Sequence, residues 1–135
     1  MKPTPPQERR VLIVDDEEPV RKFVERVLRD AGYQTTMAGD GVEALQLTAK
    51  NPQFDLLVTY VMMPQMTGDE LARRIRQTER SIKVLYLTGY ADQLFKEKIT
   101  LWEDEAFLDK PCSVKGLLQA VSMLFFNTLD LPKSN

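Results

Sequence analysis

The stretch Val11-Leu12-Ile13-Val14-Asp15-Asp16-Glu17 joins a fully apolar, β-branched run to a group of acidic residues. An apolar run of this kind is typical of a strand that is covered on both faces, as in a parallel sheet. A helix is predicted next, because Pro19 suits a first helical turn and Gly32 suits a helix end. The inward face of this helix is predicted to carry Val20, Phe23, Val24, Val27 and Leu28.

Strand and helix signals then alternate along the chain. Further strands are predicted at residues 33–38, 54–60, 82–88 and 106–108. One helix is predicted to be capped by Asp40 and to run through Val42, Leu45 and Ala49 to Lys50. The next begins with a capping box of Thr67 and Glu70, with Leu71 and Ile75 inward. Another covers about 92–101, and the last is capped by Ser113 and buries Val114, Leu117, Leu118, Val121 and Leu124. This order predicts an α/β fold, in which helices cover both faces of a five-stranded parallel sheet.

The balance of residue types is that of an ordinary globular protein, since 43% of the 135 residues are hydrophobic and 28% are charged. We expect one domain at residues 10–127, after a flexible lead-in at 1–9 and before a short tail at 128–135. No apolar run approaches the roughly 20 residues that span a bilayer, and the N-terminus lacks the apolar core of a signal peptide. The expected location is therefore cytoplasmic, without membrane contact.

Composition also excludes several kinds of site. The single cysteine, Cys112, excludes an intramolecular disulfide, and it is predicted to be a small buried hydrophobe rather than a redox sensor. The chain has no histidine, which removes the usual zinc sites and histidine-based catalysis. A net charge of −2 gives no reason to expect nucleic-acid binding.

Polar residues stand where the predicted strands end. Asp15 and Asp16 follow the first strand, Tyr60 ends the third, Thr88 ends the fourth, and Lys110 lies just past the fifth. The carboxyl ends of parallel strands meet at one edge of a sheet, where such folds place their sites. Two adjacent carboxylates need a cation nearby, so the set predicts a site for Mg²⁺ and phosphate. Each residue alone has a plainer interpretation, as a helix cap, a strand-end hydroxyl or a surface charge.

Four segments in this order resemble the receiver domain of two-component response regulators. They are Val11-Leu12-Ile13-Val14-Asp15-Asp16-Glu17, Val61-Met62-Met63-Pro64-Gln65-Met66-Thr67-Gly68, Leu87-Thr88-Gly89-Tyr90 and Phe107-Leu108-Asp109-Lys110-Pro111. The resemblance covers about residues 10–127 and implies a flavodoxin-like (βα)5 domain with strand order 2-1-3-4-5. It further implies a bacterial-type phosphorelay, in which the partners are a histidine kinase, a phosphotransfer protein or an effector protein.

The resemblance implies a role for each residue of the site. Asp15 and Asp16 would hold Mg²⁺ together with the backbone carbonyl of Met62. Lys110 and Thr88 would contact the phosphoryl oxygens. Phe107 would be an aromatic switch coupled to Thr88, although a buried strand aromatic is the plainer interpretation. The Lys110-Pro111 peptide bond is expected to be cis.

Tyr60 departs from the family pattern, because receiver domains carry the phosphate-accepting aspartate at this position. A phenol with an ordinary pKa of about 10 is neutral at pH 7, so it is a poor nucleophile and a poor Mg²⁺ ligand. Its ring can turn out over the rim or fill the phosphate pocket, and we expect partial filling with the hydroxyl near Asp16 or Lys110. Any Mg²⁺ site is therefore expected to be weak, and no cofactor is required.

The leading hypothesis is a pseudo-receiver, a signalling module without enzymatic activity that acts by protein–protein interaction. Its predicted partner surface, or homodimer face, combines the fourth helix, the fifth strand and the last helix. Phe125 and Phe126 are adjacent on the last helix, so both cannot point into the core. One of them is therefore a candidate contact residue. The alternative is a Mg²⁺-dependent phosphoacceptor whose natural residue 60 is aspartate. A flavin-binding protein is disfavoured, because Asp15-Asp16-Glu17-Glu18 would repel a flavin phosphate.

Overall fold

The computed structural model describes residues 9–51, 53–89, 104–110 and 112–126. Five parallel strands form one sheet in the order β2-β1-β3-β4-β5. The strands are β1 (Arg10–Val14), β2 (Gln34–Ala38), β3 (Leu56–Tyr60), β4 (Lys83–Thr88) and β5 (Glu105–Asp109). The helices of the described part are α1 (Glu18–Asp30), α2 (Gly41–Lys50), α3 (Gly68–Arg76) and α4 (Val114–Phe126). The predicted flavodoxin-like architecture and strand order are confirmed.

Some predictions fall on other residues. The helix at about 92–101, the chain up to residue 8, the tail at 128–135 and the peptide bond to Pro111 lie outside the described residues. The predicted domain bounds stay a prediction.

Strand β1 is an interior strand of the sheet, between β2 and β3, and is covered on both faces. All four apolar residues, Val11 to Val14, have no solvent exposure. Leu12 and Val14 pack into the core under α2 and α3, whereas Val11 and Ile13 pack into the core under α1 and α4. This alternation follows from the two-residue period of a strand. The apolar run therefore builds two cores at once, and Asp15 follows at the carboxyl edge.

Helix α1 keeps most of its predicted inward face. Val24, Val27 and Leu28 are buried, and Gly32 ends the helical segment with a positive φ of 105°. Phe23 is 37% exposed, so its predicted burial is wrong. The ring borders a surface groove of about 320 Å³ that Lys110 and Cys112 also line.

Helix α2 presents small residues to the core. Val42 is 46% exposed and Ala49 is exposed, while Gly41, Ala44 and Thr48 are buried. Small residues face the core here because the helix approaches the loop after β3 closely. A Cβ on Gly41 would lie 2.8 Å from the sulfur of Met66.

The predicted capping box at Thr67 is wrong, since this side chain makes no capping hydrogen bond to α3. A related pair of side-chain caps forms at the start of α2. The Asp40 carboxylate accepts a hydrogen bond from the Glu43 N–H at 2.8 Å, and the Glu43 carboxylate accepts one from the Gly39 N–H at 2.8 Å. The two acids satisfy reciprocal backbone donors at the helix start.

Helix α4 is capped as predicted, because Ser113 Oγ accepts a hydrogen bond from the Gly116 N–H at 2.9 Å. Leu117, Val121, Leu124 and Phe125 are buried, whereas the expected burial of Val114 is wrong at 51% exposure. Phe126 is half-buried, and the Arg9 guanidinium lies 5.1 Å from its ring centre.

Candidate functional site

Asp15 is the buried acid of the carboxyl edge. It follows β1 with no solvent exposure, and its Oδ1 accepts a hydrogen bond from the Glu17 N–H at 2.9 Å. Its backbone carbonyl accepts one from Arg21 at 2.7 Å. Burial raises the pKa of the Asp15 carboxyl, although the Glu17 N–H and the charge of Lys110 act in the opposite direction. Asp16 is exposed beside it.

Lys110 brings a positive charge to this acid. Its Nζ lies 3.4 Å from Asp15 Oδ2 and 2.7 Å from Glu17 Oε1. Only 11% of the lysine side chain is exposed. Burial alone lowers the pKa of Lys110, but the hydrogen bond to Glu17 and the attraction of Asp15 outweigh it, so the net shift is upward. The ammonium is held in its charged form.

Tyr60 supplies a third side of the same cluster. It ends β3, is half-buried, and packs against both hydrophobic cores. The Lys110 ammonium lies 3.5 Å from the centre of the Tyr60 ring. A cation above the face of an aromatic ring is attracted by the ring quadrupole. The ring therefore lies against Lys110, the neighbour expected if it fills part of the pocket.

Thr88 and Phe107 occupy the neighbouring strands. Thr88 is fully buried, and its hydroxyl donates to Asp109 Oδ1 at 2.8 Å. The Lys110 N–H donates to the Thr88 carbonyl at 2.7 Å, which ties the end of β4 to Lys110. Phe107 is half-buried, with its ring 5.8 Å from that of Tyr86.

Residues 11–122 match the family model of the response regulator receiver domain. The chain belongs to this family. Receiver domains are signalling modules of two-component systems that interact with histidine kinases and effectors, and they commonly bind Mg²⁺ at the acceptor site.

Three relatives show how much of a protein this receiver domain corresponds to. It is 38% identical to the sensor kinase CckA of Brucella abortus (strain 2308), over 82% of this chain and 12% of the kinase. It is 30% identical to the receiver protein CpdR of the same organism, over 86% of this chain and 96% of CpdR. With the response regulator MprA of Mycobacterium leprae (strain TN), 36% identity covers 88% of this chain and 52% of MprA. The chain thus spans nearly all of CpdR, about half of MprA and a small part of CckA.

Solved structures agree with this family. The receiver domain of the hybrid histidine kinase CckA superposes with a TM-score of 0.72 at 31% identity, covering 86% of this chain and 98% of that domain. The Vibrio cholerae chemotaxis protein CheY4 gives a TM-score of 0.76 at 32% identity, with the same coverage. Within the described ranges, no helix combines the length and apolarity needed to cross a bilayer.

The acids of this receiver domain fit a magnesium ion poorly. Mg²⁺ prefers six oxygen ligands at about 2.1 Å in octahedral geometry. Asp15 already faces the Lys110 ammonium, and the end of β3 offers the ring of Tyr60. Met62, the predicted carbonyl ligand, lies in the loop after β3 with 52% of the residue exposed. Among the described residues, no group of three or more acids, cysteines or histidines is arranged to hold a metal.

Sequence reasoning missed two residues of the site, Glu17 and Asp109. Glu17 binds Lys110, and Asp109 accepts the hydrogen bond of Thr88. Both stand inside the family segments, next to Asp16 and Lys110. Their charge and position were visible in the sequence, but their side-chain partners depend on how β1, β4 and β5 pack together.

Proposed function

We propose that this receiver domain signals through protein contacts and is not phosphorylated at the end of β3. The observation that carries the proposal is the Tyr60 ring, which occupies this strand end with the Lys110 ammonium 3.5 Å from its centre. A receiver acceptor needs a carboxylate that attacks phosphorus and forms an acyl phosphate. A phenol cannot form one.

Neighbouring residues do not replace the missing carboxylate. Thr59 is fully buried, and its hydroxyl donates to the Tyr60 carbonyl at 3.0 Å. Asp55 lies before β3, at the opposite end of the strand, where its Oδ2 accepts a hydrogen bond from the Arg10 N–H at 2.7 Å. Any Mg²⁺ held by Asp15, Asp16 and the Met62 carbonyl binds weakly, and signalling does not require it.

The proposed partners are a histidine kinase, a phosphotransfer protein or an effector in the cytoplasm. The proposed surface includes β5 and α4. Strand β5 is an edge strand, and its central residues Ala106, Phe107 and Leu108 are half-buried rather than covered. A second copy of this chain is a further candidate partner through this surface. The proposal includes neither enzymatic activity nor nucleic-acid binding.

The test is chemical phosphorylation of the wild-type chain and of Tyr60→Asp and Tyr60→Asn. Each protein is incubated with acetyl phosphate and Mg²⁺, and the intact mass is followed with time. We expect no phosphoryl adduct on the wild type or on Tyr60→Asn, which has a small polar residue without a nucleophile. Saturable addition of one phosphoryl group to the wild type would overturn the proposal.

Tyr60→Asp tests the alternative that residue 60 is naturally an aspartate in a working phosphoacceptor. Asp15, Lys110 and Thr88 already stand at neighbouring strand ends, which favours a pocket that one substitution restores. Phosphorylation of Tyr60→Asp together with Mg²⁺-dependent stabilisation would support this intact pocket. An inert variant would show that the site has diverged beyond residue 60.

A further inference from the structure

Lys110 is a well-enclosed positive charge at the carboxyl edge, and three different groups lie against it. Asp15 Oδ2 lies 3.4 Å from its Nζ, Glu17 Oε1 lies 2.7 Å away, and the Tyr60 ring centre lies 3.5 Å away. The lysine side chain is only 11% exposed. An ammonium has three donors and no preferred plane, so two carboxylates and a ring face can satisfy it together.

We propose that the Lys110 ammonium is the resident cation of this pocket, and that Glu17 and Tyr60 hold it there in place of a divalent metal ion. This inference rests on the proposed loss of phosphorylation and explains how the acids remain neutralised without Mg²⁺. Glu17 acts as a positioning residue. It has the shorter contact with Lys110, while its own N–H orients Asp15 through the 2.9 Å hydrogen bond.

The consequence is competition between two cations for one carboxylate. Mg²⁺ would have to bind Asp15 at about 2.1 Å, and the ammonium on that carboxylate would repel it. Lys110 can move aside only by leaving Glu17 and the ring face. If Lys110 loses its charge, Asp15, Asp16 and Glu17 remain as three acids in one short segment without that neutralising partner. The structure therefore predicts that removing a lysine creates a response to Mg²⁺.

The first experiment measures thermal unfolding of the full chain in 10 mM MgCl2 and in NaCl of matched ionic strength. Wild type, Lys110→Met and Lys22→Met are compared. Lys22 pairs with Glu18 at 3.1 Å on the exposed face of α1, so its variant loses the same charge elsewhere. We expect Mg²⁺ to raise the midpoint of Lys110→Met by about 5 °C, as for a ligand at ten times its Kd, and to leave the others within about 1 °C.

Two outcomes would overturn the inference. One is a Mg²⁺-induced midpoint rise in the wild type, which would show that the lysine does not exclude the metal. The other is an equal response in Lys110→Met and Lys22→Met. Either result can occur while the wild type stays unphosphorylated, so failure here is distinct from failure of the proposed function.

A second experiment does not require Lys110→Met to fold. Wild type and Glu17→Gln are acetylated with a limiting amount of an N-hydroxysuccinimide ester. Modification of Lys110 is then quantified by peptide mass spectrometry, relative to Lys22 in the same sample. Glu17→Gln is expected to raise the relative modification of Lys110 roughly threefold, as for the loss of one partly exposed ion pair. Unchanged modification would refute the role of Glu17.

Discussion

The two ends of the parallel sheet use the same kinds of side chain to different effect. At each end, one basic residue contacts two acids, and a tyrosine lies beside this cluster. At the amino end, Arg76 of α3 bonds Asp104 at 3.1 Å, the Ile82 carbonyl at 3.1 Å, and Glu105. The Tyr86 hydroxyl donates to Glu105 at 3.4 Å. The Arg76 side chain is 20% exposed and that of Glu105 only 3%.

The carboxyl end joins Lys110 to Asp15, Glu17 and the face of Tyr60. The difference lies in the geometry of the two cations. A guanidinium is a planar fork whose donors match several fixed acceptors, whereas an ammonium is a compact charge that can exchange its neighbours. The Arg76 cluster at the amino end therefore links α3 to β4 and β5. The carboxyl end is held by a single ammonium, whose replacement by Mg²⁺ requires the loss of Lys110.

Arg76→Met tests the Arg76 cluster at the amino end and has the largest expected effect on stability. It removes the guanidinium that pairs with Asp104 and the buried Glu105, so the free energy of unfolding should fall by about 3 kcal/mol. Arg74→Met is the matched control, because Arg74 lies on the same helix and pairs with Glu70 with 51% of its side chain exposed. Its loss should be about 0.5 kcal/mol or less. Equal losses in urea denaturation would contradict the distinction.

Replacing the ring of Tyr60 tests the carboxyl end and should have a smaller effect. Tyr60→Phe keeps the ring face under Lys110 and therefore keeps the cation contact. Tyr60→Leu removes the face and should cost about 1 kcal/mol. Comparing Tyr60→Phe with Tyr60→Leu in a Lys110→Met background separates the cation contact from lost packing, because only the cation contact depends on Lys110. If the two Tyr60 variants differ in stability by the same amount in that background, the cation contact is not the cause of the difference.

Alkaline pH should remove the contribution of the Lys110 charge to stability, and this is the smallest expected effect. The pKa of Lys110 is raised in the folded protein, so the fold binds this proton more tightly than the unfolded chain does. The resulting stabilisation is complete below the ordinary lysine pKa and is lost as the pH rises through the folded value. The pKa of Tyr86 at the amino end is also raised, chiefly by burial, so Tyr86 adds an alkaline loss of stability of its own.

Denaturation of wild type, Arg76→Met and Lys110→Met between pH 9 and 11 measures how much of the alkaline loss of stability comes from Lys110. The alkaline loss should persist in Arg76→Met and shrink in Lys110→Met. An equal loss in all three proteins would assign it to other groups.

The sequence predicted the frame better than the contacts. Strand β1 was clear because an apolar run followed by acids has one good place in a parallel sheet. The inward face of α2 is not evident from apolar spacing, because it carries the small residues Gly41, Ala44 and Thr48. Gly41 faces the core there because only a hydrogen fits beside Met66. Local motifs do not report how closely two elements approach.

The functional site shows the same contrast between backbone positions, which the sequence predicts, and side-chain contacts, which it does not. Asp15 and Lys110 were expected at one edge, because strand order brings them together. The partners Glu17 and Asp109 could not be assigned, since a side chain chooses among several neighbours only after packing. The Thr67 box failed for a similar reason, although Leu71 and Ile75 were rightly placed inward. The backbone fixes this corner instead, because the Gly68 N–H donates to the Val61 carbonyl at 2.8 Å.

That corner explains how the residue at position 60 can differ from an aspartate while the fold survives. The Val61 N–H donates to the Leu87 carbonyl at 3.1 Å, so the chain is anchored immediately after Tyr60. A Cβ on Gly68 would lie 2.3 Å from the Tyr60 carbonyl oxygen, so α3 rests directly on the main chain there. None of these contacts involves the side chain of residue 60. The side chain at position 60 can therefore be exchanged without disturbing the backbone of this loop. Both evolution and protein engineering can use the position to introduce a new functional group.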